Sequence, residues 1–567
     1  MMKRLYLLLA ASLAVTGMVF GGGNRQRLDA SSGTVTLEIF PEFGHVEYIE
    51  ESPWYLDWLK DNLNLTIKGR ILPGDQIRQV YQNMLASRQM TDIVNITSME
   101  DVQDGVNAGL FLDLEQYKDQ LPNLYNNPVY KSMIQFNKDT YGKGTALYVI
   151  NEQTGKSNTL NFQPVIRWDL YEKLGFPKIN TMDDLIPLFK KMMELEPVTE
   201  TGKKTYGVGF FPEWDGNTMA YSRFFSAIWG AGDYLPSIHI ETTGPGYTGD
   251  IRSVFDDASY TKKMLKWFFD ANQAGVLDPD SATQPYSTYD AKVKDGGVFF
   301  VLWAWSGDGY NTLEHVTAAE PKGFAQILTS DMKIPIQPDY ITGKTDRFIA
   351  IGKNTKNPEA AVRFLNYLCS WEGQAMLYNL PEGIIWEEGP DGKAVVKDSA
   401  WQYLDNDELK VPELNSPVFR AMWIMQDPIA GLGEINPITG RPMQFGEWDQ
   451  VIKHGNANNK IFQKWSSYYG GVASYYDLVT KNGASVKVPG WTQSMPPVPN
   501  DIVNISNQIG EVCKTNFYRM VFAANQAEFD SLWKNARDKA EVLGMQKILV
   551  WSKDAVAQAK ASLAKYN

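Results

Sequence analysis

The regular pattern begins at residues 34–40 (TVTLEIF), where Val35, Leu37 and Ile39 alternate with threonine and glutamate. A period of two places these apolar residues on one face of a strand. Residues 54–63 read as a helix, and Leu65, Ile67, Gly69 and Ile71 as a second strand. Ile77, Val80, Tyr81, Met84 and Leu85 then fall at i, i+3, i+4, i+7 and i+8, one apolar helix face. Residues 92–96 (DIVNI) predict a short buried strand, and Gly109 a helix cap. The pattern restarts at Thr181, a predicted N-cap with Asp184 three residues on, followed by the stripe Leu185, Leu188, Phe189 and Met192. Strands are predicted at 206–211 (YGVGFF) and 298–303 (VFFVLW), and a Trp- and Phe-rich helix at 262–274. Pro358 opens another helix, with Ala361, Leu365 and Leu368 facing inward. The last fifty residues look helical. Strands alternating with helices predict an α/β protein with mainly parallel sheets. Without internal repeats or long linkers, two interwoven lobes fit better than a string of modules.

The N-terminus breaks this pattern. Lys3 and Arg4 precede an apolar run over 5–20, which Gly21, Gly22 and Gly23 end. Such a run spans about 24 Å as a helix, short of a hydrocarbon core of about 30 Å. Residues 1–23 are therefore expected to be a secretory signal peptide, with Val19 and Gly21 at positions −3 and −1; a membrane anchor is the alternative. A lipid anchor would need a cysteine just after the run, but the first cysteine is Cys369. The expected product is an exported protein, periplasmic or extracellular, with no lipobox cysteine. Cys369 and Cys513 either pair or remain two buried thiols.

Composition narrows the chemistry. The 567 residues carry 54 Lys+Arg against 66 Asp+Glu, a net charge of −12, with no basic stripe for nucleic acid. Two cysteines and four histidines (His45, His239, His315, His454) leave little for a metal site. Gly343-Lys344-Thr345 ends like a phosphate loop, but Pro338 stands where its first glycine belongs. No G-x-S-x-G or H-E-x-x-H occurs. No catalytic residue, metal or cofactor is expected. A secreted glycan hydrolase stays open as an alternative, because an acidic chain always contains paired carboxylates.

Aromatic residues near predicted turns carry more information. The chain has 17 Trp, 28 Tyr and 26 Phe. Trp303 and Trp305 follow a predicted strand two residues apart and would share a face if it continued; Asp308 lies close by. Trp214 sits among Glu213, Asp215 and Asn217 after another strand, and Trp386 between Ile385 and Glu387. Aromatic planes cover the apolar C–H face of a sugar, while carboxylates and amides meet its hydroxyls. The competing reading buries each tryptophan in a core. Placement at strand ends favours a ligand cleft.

Three segments resemble extracellular solute-binding proteins of ABC importers, in the large sugar- and oligosaccharide-binding group. They are Asp92-Ile93-Val94 with 107–114 (NAGLFLDL), Arg167 to Gly175 with 181–185 (TMDDL), and 357–368 (NPEAAVRFLNYL) with Trp371-Glu372-Gly373. Residues 382–386 resemble the turn that follows in the long, lipoprotein-like members. The resemblance implies a periplasmic-binding-protein type II fold, two α/β lobes with a hinge and a cleft between them. It implies an N-terminal lobe of 33–145 plus 350–385, a C-terminal lobe of 146–349 plus 386–510, and a helical extension at 511–567. The crossings are expected near 144–150, near 348–351 and just after Trp386. The function implied is capture of an oligosaccharide or related sugar by a monomer that serves membrane permease subunits; a peptide ligand is the alternative on the same fold. Trp303 aligns with a sugar-stacking tryptophan of maltodextrin-binding relatives. Glu42, Phe43, Thr97 and Ser98 fall on ligand-touching loops, and Trp423 near a late pocket-closing position. Some alginate-binding relatives hold calcium in the loop equivalent to 196–204, where Glu196 and Glu200 here are followed by Lys203 and Lys204; no calcium is expected there.

Overall fold

The computed structural model describes residues 33–566 except 73–75, 152–158, 161, 231–238, 407, 426–428 and 432. The expected signal segment at 1–23 lies outside the described residues.

The first lobe is built on a five-stranded sheet. Strand Val35–Pro41 lies between Leu65–Gly69 and Ile93–Ile96 and is parallel to both. Strand Phe348–Ile351 then runs antiparallel between Ile93–Ile96 and Val149–Asn151. Alternation serves two cores. Leu37 and Ile39 pack with Leu59, Ile67, Phe364 and Leu365, whereas Phe40 packs with Tyr81, Met84, Val94 and Val102 on the other face.

The second lobe carries a four-stranded sheet in the order Phe324–Gln326, Val165–Arg167, Val298–Val301, Tyr206–Val208. Only the last pair is parallel. A mainly parallel sheet was expected; instead Val165–Arg167 enters after the crossing from the first lobe and runs opposite to its neighbours. Val298–Val301 is buried along its whole length, as a central strand should be.

The Arg167-x-Asp169 pattern proves to be internal wiring. The fully buried Arg167 guanidinium makes two 2.9 Å hydrogen bonds to the Asp169 carboxylate and reaches Glu196 at 2.8 and 3.2 Å. It also lies 4.4 Å from the centre of the Tyr310 ring.

The lobe boundaries differ from expectation after Trp386. Ala421, Ile424, Met425 and Met443 belong to the core of the first sheet. Trp386 pairs with Val396 in a hairpin and packs with Trp448 in a satellite core that shares Trp54 with the first lobe. This stretch was assigned to the second lobe, but its apolar face finds cover against the first. The crossing thus comes after Trp448, through helix Asp449–Asn458, and Ile461 is already in the second core. Helix Asn500–Val521 runs through the expected boundary at 511, and Cys513, Phe517, Phe529, Trp533 and Ile548 line the second core. The C-terminal helices are therefore part of that lobe rather than an extension. Tyr566 finally returns to the first lobe. Its ring meets Phe136 at 5.6 Å, and its hydroxyl donates to Asp139 at 2.8 Å.

At the hinge, the Asn151 side chain donates to the Lys344 carbonyl and so ties the first crossing to the second. Gly343 makes this possible: its φ is +83°, and a Cβ there would lie 2.3 Å from that of Asn151. Cys369 and Cys513 are free thiols buried in different cores, which settles the alternative in favour of two separate thiols.

Candidate functional site

At Trp303 the chain leaves the buried strand Val298–Val301, still extended (φ −121°, ψ 132°), and then turns into the short helix Ala304–Asp308. The strand does not continue through Trp305. The helical turn instead brings Trp305 onto Trp303, stacked at 5.5 Å and 29° with half of its surface, 51 %, exposed. Trp214 is 40 % exposed and stacks on Tyr286 at 5.0 Å and 28°. The two stacked pairs meet where Trp214 approaches Trp303 at 6.0 Å and 63°. Phe224 and Phe162 support Trp303 at 5.2 and 5.9 Å. The result is a continuous four-ring platform, with apolar surface left open beside the ends of parallel strands. Scattered exposed apolar side chains are ordinary, but here two exposed tryptophans adjoin through a third, half-buried one.

Acids accompany the rings. Asp308 is reached by solvent, yet the surrounding protein raises its pKa to about 6 by desolvation. Asp215 is buried, accepts from the Tyr518 hydroxyl at 2.5 Å and from the Ala220 amide at 2.9 Å, and is also pushed up to about 6, mainly by burial. Glu213 accepts the Tyr286 amide at 2.8 Å.

The first lobe presents a different edge. Glu42 follows strand Val35–Pro41, and Thr97 and Ser98 follow Ile93–Ile96. The Thr97 amide donates to Glu42 at 2.8 Å. Ser98 caps helix Met99–Asn107: its hydroxyl accepts the Asp101 amide at 3.0 Å and donates to the Asp101 carboxylate at 2.7 Å. Arg78 reaches Asp101 at 3.2 Å. Burial, and then the charge of Asp101, push Glu42 up to about 7. Trp423 is half-buried beside this loop: its carbonyl accepts the His45 amide at 2.8 Å, and its ring meets His45 edge-on at 6.1 Å.

Thus Trp214, Trp303 and Trp305 come together, with Asp308 on the same short helix as Trp305, while Glu42, Thr97 and Ser98 come together on the other lobe. Two candidates are core residues instead. Phe43 is 5 % exposed and packs in the first-lobe core, because Asn95 holds its carbonyl at 3.1 Å and turns the ring inward. Trp386 is 4 % exposed and donates its indole N–H to the Leu380 carbonyl at 2.9 Å, so its polar edge is satisfied inside the core. Sequence reasoning missed Tyr286, Phe162, Phe224 and Asp101. Tyr286 alone had a local signal, an aromatic directly after Pro285.

In the loop considered for calcium, Glu196 is held by Arg167 and Glu200 by Lys322. Among the described residues no group of three or more His, Cys, Asp or Glu is arranged to hold a metal ion. No helix among them is long and apolar enough to cross a membrane.

A family model described as "Bacterial extracellular solute-binding protein" matches residues 46–375. Among solved structures, the alginate-binding protein AlgQ2, crystallised without calcium ion, has a TM-score of 0.62 at 17 % identity, covering 93 % of this chain and 99 % of that one. The S. pneumoniae ABC-transporter substrate-binding protein FusA, in complex with kestose, has a TM-score of 0.63 at 15 % identity, with coverage of 93 % and 99 %. An ABC-transporter-associated protein from Bifidobacterium longum infantis that binds HMO has 0.54 at 14 %, with coverage of 92 % and 98 %. At these identities the likeness shows the fold. Among curated proteins none matches the chain.

Proposed function

The chain belongs to the bacterial extracellular solute-binding proteins, and we propose that it captures an oligosaccharide between its lobes and delivers it to the permease of an ABC importer. The observation that carries this reading is the open four-ring platform Trp305, Trp303, Trp214 and Tyr286. Sugar rings would lay their C–H faces on these planes. Glu42, Thr97, Ser98 and Asp308 would meet the hydroxyl edges. A ligand touching both edges binds the closed arrangement better than the open one and so selects it. The protein acts outside the cytoplasmic membrane as a monomer, without chemistry on its ligand. The solved structures of the same fold with kestose and with HMO in their descriptions support a sugar.

The test is tryptophan emission and thermal unfolding with a panel of glycans and peptides. A ligand at a hundred times its Kd stabilises the folded state by about 2.7 kcal/mol, enough to read as a melting shift. A response to peptides alone would move the assignment to a peptide carrier. Recovery of the bound glycan intact after long incubation supports a carrier, whereas new reducing ends would make it a hydrolase.

A further inference from the structure

We propose that the ligand is an oligosaccharide free of acidic groups. Carboxylates surround the platform, and the cations near it are already engaged. This rests on the sugar reading above and specifies the class of sugar.

Trp305 and Asp308 stand at i and i+3 on the helix Ala304–Asp308, so they share a face. Glu213 precedes Trp214 and holds the Tyr286 amide at 2.8 Å. Asp290 lies one turn beyond Tyr286, and its charge helps raise the Tyr286 hydroxyl pKa after burial has done so. Asp215 follows Trp214 directly. Three carboxylates, Asp308, Glu213 and Asp290, thus stand beside the four rings, and Asp215, buried against Tyr518 and the Ala220 amide, adds its charge from behind them. The cations there are spoken for. Lys294 pairs with Asp290 at 2.8 Å, and Lys292 with Asp278 and Asp280 at 2.7 and 2.8 Å. Arg223 lies 4.7 Å over the Phe224 ring and, like Lys514, favours the charged form of Asp215. The first-lobe edge leans the same way: Glu42, Glu100, Asp101 and Asp104 stand against Arg78, which is bound to Asp101, and Arg347, which lies 5.4 Å over the Phe43 ring and 3.4 Å from Asp346.

A carboxylate accepts hydrogen bonds from sugar hydroxyls and has nothing to offer another carboxylate. A uronate on this platform would place like charges together in partly desolvated surroundings, which excludes it by repulsion while neutral rings keep every contact. The selection therefore comes from charge, and the stacking surface stays indifferent to sugar identity.

The experiment is a mixed array of neutral, basic and acidic glycans probed with the intact protein, followed by calorimetry on the hits at ~20 mM and ~300 mM salt. The expected hits carry no acidic group, and their affinity changes less than about twofold between the two salts. A uronate, sialylated or sulfated glycan that binds as tightly as the best neutral one overturns the inference and leaves the sugar reading standing. If no glycan of any class binds, the sugar reading itself fails and this inference falls with it. The Asp308→Asn protein supplies a second readout. It should narrow the gap between a neutral hit and its uronate counterpart by about threefold to tenfold at low salt. An unchanged gap removes Asp308 as its source.

Discussion

The two strand-end edges of this protein are built from opposite materials. The second lobe offers open aromatic planes, Trp305 and Trp214 above all, supported from below by Phe224 and Phe162. The first lobe offers a network of half-buried Glu42, Thr97 and Ser98 on the buried Asp101, whose members already bond to one another. Planes need only a flat apolar face and tolerate displacement, whereas a carboxylate network demands partners at fixed distances. The contrast teaches that affinity should reside mainly in the second lobe, and orientation and closure in the first. Charge also divides differently. In the second lobe the buried pair Arg167 and Asp169 is a structural tie, while in the first Glu42, its pKa raised by burial, stands at the edge itself.

The largest expected effects test which groups lie outside this contrast. Arg167→Met leaves Asp169, 2 % exposed, without its partner. Breaking a buried pair in this way costs about 3–5 kcal/mol. Trp386→Ala opens the satellite core and should cost about 3–5 kcal/mol as well. Both should lower the urea midpoint strongly, while the folded fraction binds glycan with unchanged affinity. Weakened binding by a folded Trp386→Ala protein would return that residue to the site.

Next comes the platform. Trp303→Ala removes the ring that links the two stacked pairs and should weaken glycan binding by about 2–4 kcal/mol in calorimetry. Because Trp303 is half-buried against Phe224, some stability is lost too. Trp305→Ala separates the two effects. Its ring is 51 % exposed, so affinity should fall by about 1–2 kcal/mol with the urea midpoint almost unchanged. Equal binding by Trp305→Ala and the parent protein would break the assignment of affinity to the second lobe.

These residues also show what was legible from sequence. Strand and helix positions follow from local periodicity, so Val35–Pro41, Ile77–Ser87 and Pro358–Leu368 appear nearly where the pattern puts them. Trp214, Trp303 and Trp305 share a local signature, a tryptophan beside turn residues at a strand end, and the fold gathers their rings. Trp386 carried the same local signature and is core, because its burial depends on Trp448, sixty-two positions later. Phe43 fails for a similar reason: the hydrogen bond that turns it inward comes from Asn95. Tyr286 was missed because it reaches Trp214 only through the fold of the lobe. The lobe boundary after Trp386 differs from expectation because Ala421, Ile424, Met425, Ile429 and Met443 cover the first sheet through contacts far apart along the chain. Burial and partnership at long range have no local trace, while element type does.

The smallest effect is a pH window, and it concerns the first-lobe edge alone. Burial raises Glu42 from an ordinary 4.5 to about 7, so its folded form holds the proton more tightly than its unfolded form. The sign follows from linkage. Below pH 4.5 the group is protonated in both states and costs nothing; as pH rises through 7 the folded protein must carry a half-buried carboxylate, and stability falls. Glu42→Gln keeps an oxygen for the Thr97 amide and removes that charge. The variant should match the parent protein at pH 4 and exceed it at pH 8 by about 1–2 kcal/mol in urea denaturation, the gain growing between these values. Glycan affinity should respond in the other direction if Glu42 accepts a sugar hydroxyl, since the neutral amide is a weaker acceptor than the carboxylate. A variant that gains stability at pH 8 and also keeps full affinity would make this edge a structural support for the loop, and would leave recognition to the aromatic platform alone.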